Sequence, residues 1–416
     1  MASARLGLLH FTGPPGIGGV ESTMAHQARF LTRAGWPTAL IVGSGEAFDE
    51  AVAVRCLPGL ASLDEDVLAA KTDLDRGVVG AAFDALRSRL RLEVQRATDD
   101  LDVLIVHNAL SLHKNLALTA ALWDLWQDRP WPGMIAWHHD LAWDRQEYVG
   151  ELHPGEPWDL LRRAWPEVVQ VVVSESARER WSRLAGIPAS EIHVIPPGVD
   201  PAEFGRWTAA TRRAHEILAL EQADILLLLP SRVTRRKNIE FAIEIVAAMR
   251  EQSDLDVRLL VTGPPGPHNP ANRGYLDELL DLRHRLRMEA SIHFLYRLEP
   301  EEPTALDDAT LADLFGLADG LLFPSRDEGF GIPVLEAGLS RLPVFCSDIS
   351  PFRETGGSDV TRFALEESPA KVARLILDSL ERDPAYRLRR RVRREYTWTR
   401  LLRSRLLPLL EPYAHD

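Results

Sequence analysis

Lysine is nearly missing from this 416-residue chain: Lys71, Lys114, Lys237 and Lys371 are the only four among 48 basic residues. A lysine inside a motif therefore stands out against a background of arginine. Cysteine is scarcer still, and Cys56 and Cys346 make neither a disulfide framework nor a set of metal ligands. No purely apolar run exceeds five residues, as in Ile225–Leu229, far short of the roughly 20 that span a bilayer. The opening residues lack the charge block and apolar core of a signal peptide, because Gly, His and Pro interrupt them. Positive charge is in deficit too. The net charge is −13 and no basic block stands out in the first half, which makes nucleic acid and anionic membrane poor partners. The expectation is a cytoplasmic protein without stable membrane insertion.

What is present belongs to a globular α/β protein. Hydrophobic residues make up 45% and charged residues 26%, and the chain is too long for one ordinary core, so two domains are expected. Short apolar strands alternate with amphipathic helices in the βαβ manner, which calls for parallel sheets. Strands are read at 6–11, 39–42, 52–57, 103–107, 134–137, 170–173 and 193–195 in the first half. Helices are read at 21–34, 84–96, 112–126 and 176–184, with a further one at 301–318 in the second half.

Residues 321–350 organise the rest. A short apolar strand stops at Pro324, a turn rich in Ser, Asp and Gly follows, and Pro333 opens a helix where its missing N–H costs nothing. Gly329 and Gly331 let backbone approach a ligand, and free N–H groups at the helix start favour an anion or hydroxyls. Glu328 and Glu336 lie eight residues apart, about 10 Å along a helix axis at ~1.5 Å per residue. Carboxylates so far apart share neither a proton nor a metal, but they can grip two hydroxyl pairs at the ends of an extended ligand. The competing reading is a solvent-facing Glu and an ordinary helix charge.

In the first half a glycine-rich turn, Thr12 to Glu21, joins strand to helix, in a form suited to close approach by a phosphate or an acceptor. Two strand ends deliver polar residues, His107-Asn108 and His138-His139-Asp140. Polar groups at the C-terminal ends of parallel strands face the ligand crevice, although a His there can simply cap a loop.

The string Glu328-Gly329-Phe330-Gly331-Ile332-Pro333-Val334-Leu335-Glu336 resembles the E-x7-E motif of family 4 retaining glycosyltransferases, and Pro343 to Glu354 is similar to the same family. The resemblance implies a GT-B fold: two Rossmann-like β/α/β domains facing across a cleft, with a C-terminal helix crossing back to the first. The domains are then 1–200, with 396–416, for the acceptor, and 201–395 for the nucleotide-sugar donor. Gly18-Gly19-Val20-Glu21 is similar to the GGVE segment that opens the family's first domain, and Pro196-Pro197 to its linker. Arg232 and Lys237 match the Arg and Lys, five apart, with which the family holds the donor diphosphate. The HHD cluster resembles the family's first-domain histidine, and spacing leaves open whether His138 or His139 fills that role. Tyr296 and Arg297 fall in the segment that contacts the base, where a glycine is common.

On this resemblance His138, His139, Glu328, Arg232 and Lys237 are the catalytic candidates. Gly18, Gly19, Tyr296, Arg297, Gly329, Phe330, Gly331 and Glu336 join the last three for the donor, and Glu21, His107, Asn108 and Asp140 bind the acceptor. The reaction implied is hexose transfer from a UDP- or GDP-sugar to a small soluble acceptor, with no tightly bound cofactor and no essential metal. A sugar phosphorylase on a similar scaffold and a lipid- or polysaccharide-directed transferase are the alternatives.

Overall fold

Among the described residues thirteen short strands carry the fold, most of them buried along their whole length. Such strands need cover on both faces, and parallel α/β sheets provide it. The computed structural model describes residues 4–16, 18–128, 133–267, 269–298 and 306–414. It divides into two units, Met1–Val199 with Tyr396–Asp416, and Asp200–Glu395.

The first unit holds β1 (Leu6–His10), β2 (Thr38–Val42), β3 (Ala53–Cys56), β4 (Val103–His107), β5 (Gly133–His138), β6 (Val169–Val172) and β7 (Ile192–Val194). They pair in the order β3-β2-β1-β4-β5-β6-β7, all parallel. The chain runs outward from β1 to β3 and then returns to the other side of β1 for β4. Loops leaving β1 and β4 therefore diverge, which opens a crevice at their C-terminal ends. The second unit repeats the device with β8 (Ile225–Leu229), β9 (Val257–Val261), β10 (Ile292–Phe294), β11 (Gly320–Phe323), β12 (Val344–Ser347) and β13 (Thr361–Phe363). Their order is β10-β9-β8-β11-β12-β13, so its switch point lies between β8 and β11.

Alternation along the strands splits the first core between two faces. Leu9, Leu104, Val106 and Ala136 pack with the helix Leu116–Asp128, while Leu6, Leu8, Ile105 and Trp137 pack with Gly19–Arg33. The second face is completed from far away in sequence. Trp398, Leu402, Leu406 and Leu410, one stripe at a spacing of four, are buried in it, worth roughly 1.5–3 kcal/mol each. The segment is tied down where Val199 N–H donates to Tyr396 O (2.8 Å) and Trp398 N–H to Val199 O (3.1 Å). A Cβ at Gly198 would lie 2.9 Å from Trp398, so only glycine admits this approach.

Three expected helices are shifted. The one read at 112–126 begins at Leu116, after a 3-10 turn His113–Asn115, because Asn115 Oδ1 accepts from Leu118 N–H (3.0 Å) and sets the start. Lys114 thus precedes the helix. The one read at 301–318 is Asp308–Leu317, capped by Asp307 Oδ1 accepting from Thr310 N–H (2.7 Å); residues 301–305 lie outside the described ones. The terminal helix is broken by a π-helical turn, Leu402–Leu406, ahead of Pro408, which has no N–H to give the carbonyl of Ser404. Among the described residues no helix is long and apolar enough to cross a membrane.

Candidate active site

In the first unit three neighbouring strands end on histidines. His10 closes β1, His107 closes β4, and His138 closes β5 with His139 next. His10 Nδ1–H donates to His107 O (3.0 Å), and Nδ1 of His107 lies 3.0 Å from Nε2 of His139. His10 went unnoticed in the sequence because the strand was read through Phe11; the strand-end rule that flagged His107 finds it once β1 is known to stop there.

Burial sorts the expected residues. His138, expected among the catalytic residues, is 1% exposed, its Nε2 is 2.9 Å from Gln170 Oε1, and its ring lies 4.3 Å from that of Trp181. Asn108, expected at the acceptor, is bound into its own loop. It is 2% exposed at φ 57°, and its Oδ1 accepts from the backbone N–H of His139 (2.8 Å) and Asp140 (3.1 Å). His107 is wholly buried, its Nδ1 directed at His139. Asp140 is ion-paired with Arg145. Glu21 accepts from Thr12 Oγ1–H, and a Cβ on Gly18 would sit 2.1 Å from its other oxygen, so glycine makes room for that carboxylate.

The histidines are held neutral. Burial lowers His139 to about 3 and His138 to about 4, pushes His107 well below the ordinary value, and lowers His10 despite its backbone bond and the nearby Glu21.

In the second unit the loops after β8 and β11 meet. Lys237, buried in a 3-10 turn Arg235–Lys237, donates to Glu328 Oε1 and lies 4.7 Å from the ring centroid of Phe323 at the end of β11. Arg236 Nη1 donates to Glu328 Oε2 (2.8 Å) and to Asp327 O (3.2 Å), and Ser325 Oγ–H donates to Glu328 Oε1 (2.7 Å). Both oxygens of Glu328 are therefore engaged, and the expected grip on ligand hydroxyls is replaced by a grip on cations. Arg236 was hidden among three basic neighbours. Arg232 is exposed and has no ion pair among the described residues.

Glu336, in the helix Ile332–Leu339, is half-buried and also has no ion pair among the described residues. Burial and the nearby Asp308 raise its pKa. It remains an acceptor in search of donors. Gly331 has φ 95°, and a Cβ there would lie 2.8 Å from the Phe352 ring; a Cβ on the exposed Gly329 would meet nothing within 4 Å. The first glycine serves the turn and the second leaves space above it. Phe330 is 48% exposed beside them. Tyr296 is half-buried, while Arg297 lines a cavity of about 330 Å³ with Arg283, His293 and Leu218, away from the Glu328 network.

The comparisons with known proteins follow this division. Residues 17–203 match the model described as Glycosyltransferase Family 4, and residues 211–396 the one described as Glycosyl transferases group 1. Mannosylglucosylglycerate synthase of Petrotoga mobilis is 27% identical over 281 residues, 61% of each chain. The synthase of the same name from Thermotoga maritima is 26% identical over 325 residues, 68% of this chain and 70% of its own. MMP alpha-(1->4)-mannosyltransferase of Mycolicibacterium hassiacum is 25% identical over 66% of this chain and 56% of its own. The chain thus spans from over half to seven tenths of these relatives. The solved sucrose-phosphate synthase of Thermosynechococcus elongatus aligns over 99% of this chain and 98% of its own, at 16% identity and a TM-score of 0.39. With a family 4 domain in the first unit and a group 1 domain in the second, each built on a parallel α/β sheet, the chain is a glycosyltransferase of the family 4 type.

Proposed function

We propose that the chain moves a hexose from a UDP- or GDP-sugar to a hydroxyl of a small soluble acceptor in the cytoplasm, with retention at the anomeric carbon. The observation that carries this reading is the meeting of Arg236 and Lys237 with Glu328 at the β8/β11 switch point, with Arg232 in the same loop and, like Glu336 in the following helix, without an ion pair among the described residues. Three cations against one carboxylate leave a surplus for a diphosphate, and an acceptor-only side chain suits the hydroxyls of a ribose.

As the bond from the anomeric carbon to the phosphate oxygen breaks, its electron pair passes to the diphosphate. Lys237 and Arg232 stabilise that charge. Donors set in place beforehand act here without reorganisation, and one of them is worth about 10²–10³ in kcat. The acceptor oxygen bonds to the anomeric carbon on the face the phosphate leaves, and its proton goes to the leaving phosphate. Glu21 and His139 in the first unit are the groups offered to the acceptor. None of these roles calls for a metal ion.

Two relatives are named for mannosylglucosylglycerate and another for D-inositol 3-phosphate, small polar molecules that support a soluble acceptor. The acidic first half repels anionic lipid by the physics that attracts basic segments to it. Nucleotide release measured across UDP- and GDP-hexoses, with and without acceptors, tests the reading. Release that needs inorganic phosphate and yields a sugar phosphate would make the chain a phosphorylase, and co-sedimentation with anionic liposomes at physiological salt would overturn the soluble acceptor.

A further inference from the structure

We propose that His107 and His139 form a tautomer-locked pair: His107 Nδ1–H donates to Nε2 of His139, which turns Nδ1–H of His139 outward as a fixed hydrogen-bond donor. His107 is then a positioning residue that touches no ligand, and His139 is not a base. Only the identity of what His139 contacts, a hydroxyl of a bound sugar or acceptor, rests on the glycosyl-transfer reading.

The geometry leaves two ways to place one proton between the rings, which are 3.0 Å apart at Nδ1 and Nε2. They differ at the far nitrogen of His107. That Nε2 is buried and has no partner among the described residues. If His139 donated, His107 would have to carry its own proton on Nε2, burying an unpaired N–H. If His107 donates, only a lone pair is left bare. Orphaned buried N–H groups are the rarer and costlier of the two defects. The Trp137 ring gives that N–H no relief: it lies stacked on His107 at 5.4 Å and 30°, face to face, while the N–H lies in the ring plane.

Everything else about His139 is fixed as well. Its backbone N–H is held by Asn108 Oδ1 (2.8 Å), and its Nε2 by His107, so Nδ1 is the polar atom left over. The titratable groups facing the pair are His10 and His138, with Glu21 beyond His10. The first two are neutral for the same reason of burial, so no neighbour drives a change of tautomer as pH varies.

Long-range 1H–15N spectra of histidine-labelled full-length protein read the tautomers directly and need no substrate. Both rings should show Nδ1–H, the minority form of a free neutral imidazole, unchanged between about pH 5 and 8. An Nε2–H signal for His139, or titration within that range, overturns the proposal. His107→Asn keeps an amide donor near the Nδ1 position and should preserve the His139 signal, whereas His107→Leu should mix it. If Leu leaves it unmixed, His107 does not set it. With a turned-over donor, His107→Leu should cost roughly twofold to tenfold in kcat with a flat pH profile, the scale of one neutral hydrogen bond. A pH-dependent loss of about 10²–10⁴ would mean a lost general base and would overturn the assignment. Locked tautomers in a protein that turns over no nucleotide sugar would sustain the pair and sink the proposed function instead.

Discussion

Glu328→Gln removes one charge from the centre of the second unit's site while preserving its shape. The Lys237 and Glu328 side chains are only 10% and 7% exposed. Their titrations pull in opposite senses. Burial lowers Lys237 more than the carboxylate beside it raises it, whereas the bonds from Lys237, Ser325 and Arg236 hold Glu328 below its ordinary value in spite of burial. The pair therefore returns little more than its own desolvation, but stripping one partner strands the other. One-sided removal from a buried pair costs about 3–5 kcal/mol. Gln still accepts from Ser325 and Lys237, and Arg236 is half in solvent, so about 2 kcal/mol is expected here. Hydrogen exchange of peptides from β8 and β11 under increasing urea measures it where it acts. The sign of the pH dependence follows from Glu328. With a depressed folded pKa, it contributes stability that is full above the unfolded value near 4.3 and is lost as pH falls through the lower folded value. The gap between wild type and variant should narrow on acidification below about pH 4. A gap under about 0.5 kcal/mol at pH 7, or one that widens with acid, would refute the reasoning.

Glu336→Ala should weaken UDP or GDP binding by about 1.5–3 kcal/mol, the range for hydrogen bonds to a charged group; calorimetry on a folded variant that shows unchanged affinity removes it from the ribose. Arg232→Ala, at an exposed position, should leave stability within about 0.5 kcal/mol and lower kcat more than it raises KM. Steady-state kinetics with kcat intact would make Arg232 an anchor only. His138→Leu removes one of two donors to Gln170 Oε1, leaving that of Trp181, and should cost about 0.5–1.5 kcal/mol of stability with little change in kcat/KM; the reverse pattern in melts and assays would place His138 in the catalytic set.

How far the sequence could be read depended on which physical rule set each feature. The apolar strand Ile225–Leu229 and the cations after it follow from composition and from the strand-end rule, and the structure places them at a switch point. The choice between His138 and His139 did not follow, because side chains alternate at a strand end. One further residue of β5 turned His138 into the packing beside Trp181 and left His139 at the crevice. The surroundings of Asn108 were hidden for a related reason. Its left-handed backbone angle aims the amide at the next loop, and no spacing reveals that. Arg236 and Glu328 found each other across 92 positions, a pairing that only the juxtaposition of β8 and β11 creates.

The stripe of Trp398, Leu402, Leu406 and Leu410 has a consequence for synthesis. Domains generally fold as units as they emerge, the N-terminal one first. Here the first unit cannot complete the cover of one face of its sheet, begun by the helix Gly19–Arg33, until the whole second unit has been translated and the segment from Trp398 to Leu410 arrives. The second unit, contiguous from Asp200 to Glu395, is free to fold while the earlier one still shows apolar surface around Leu6, Leu8 and Ile105. On the ribosome the order of completion is thus inverted. The interval before the last residues emerge is when the chain is most exposed to misassociation, and slow translation across the second half would lengthen it.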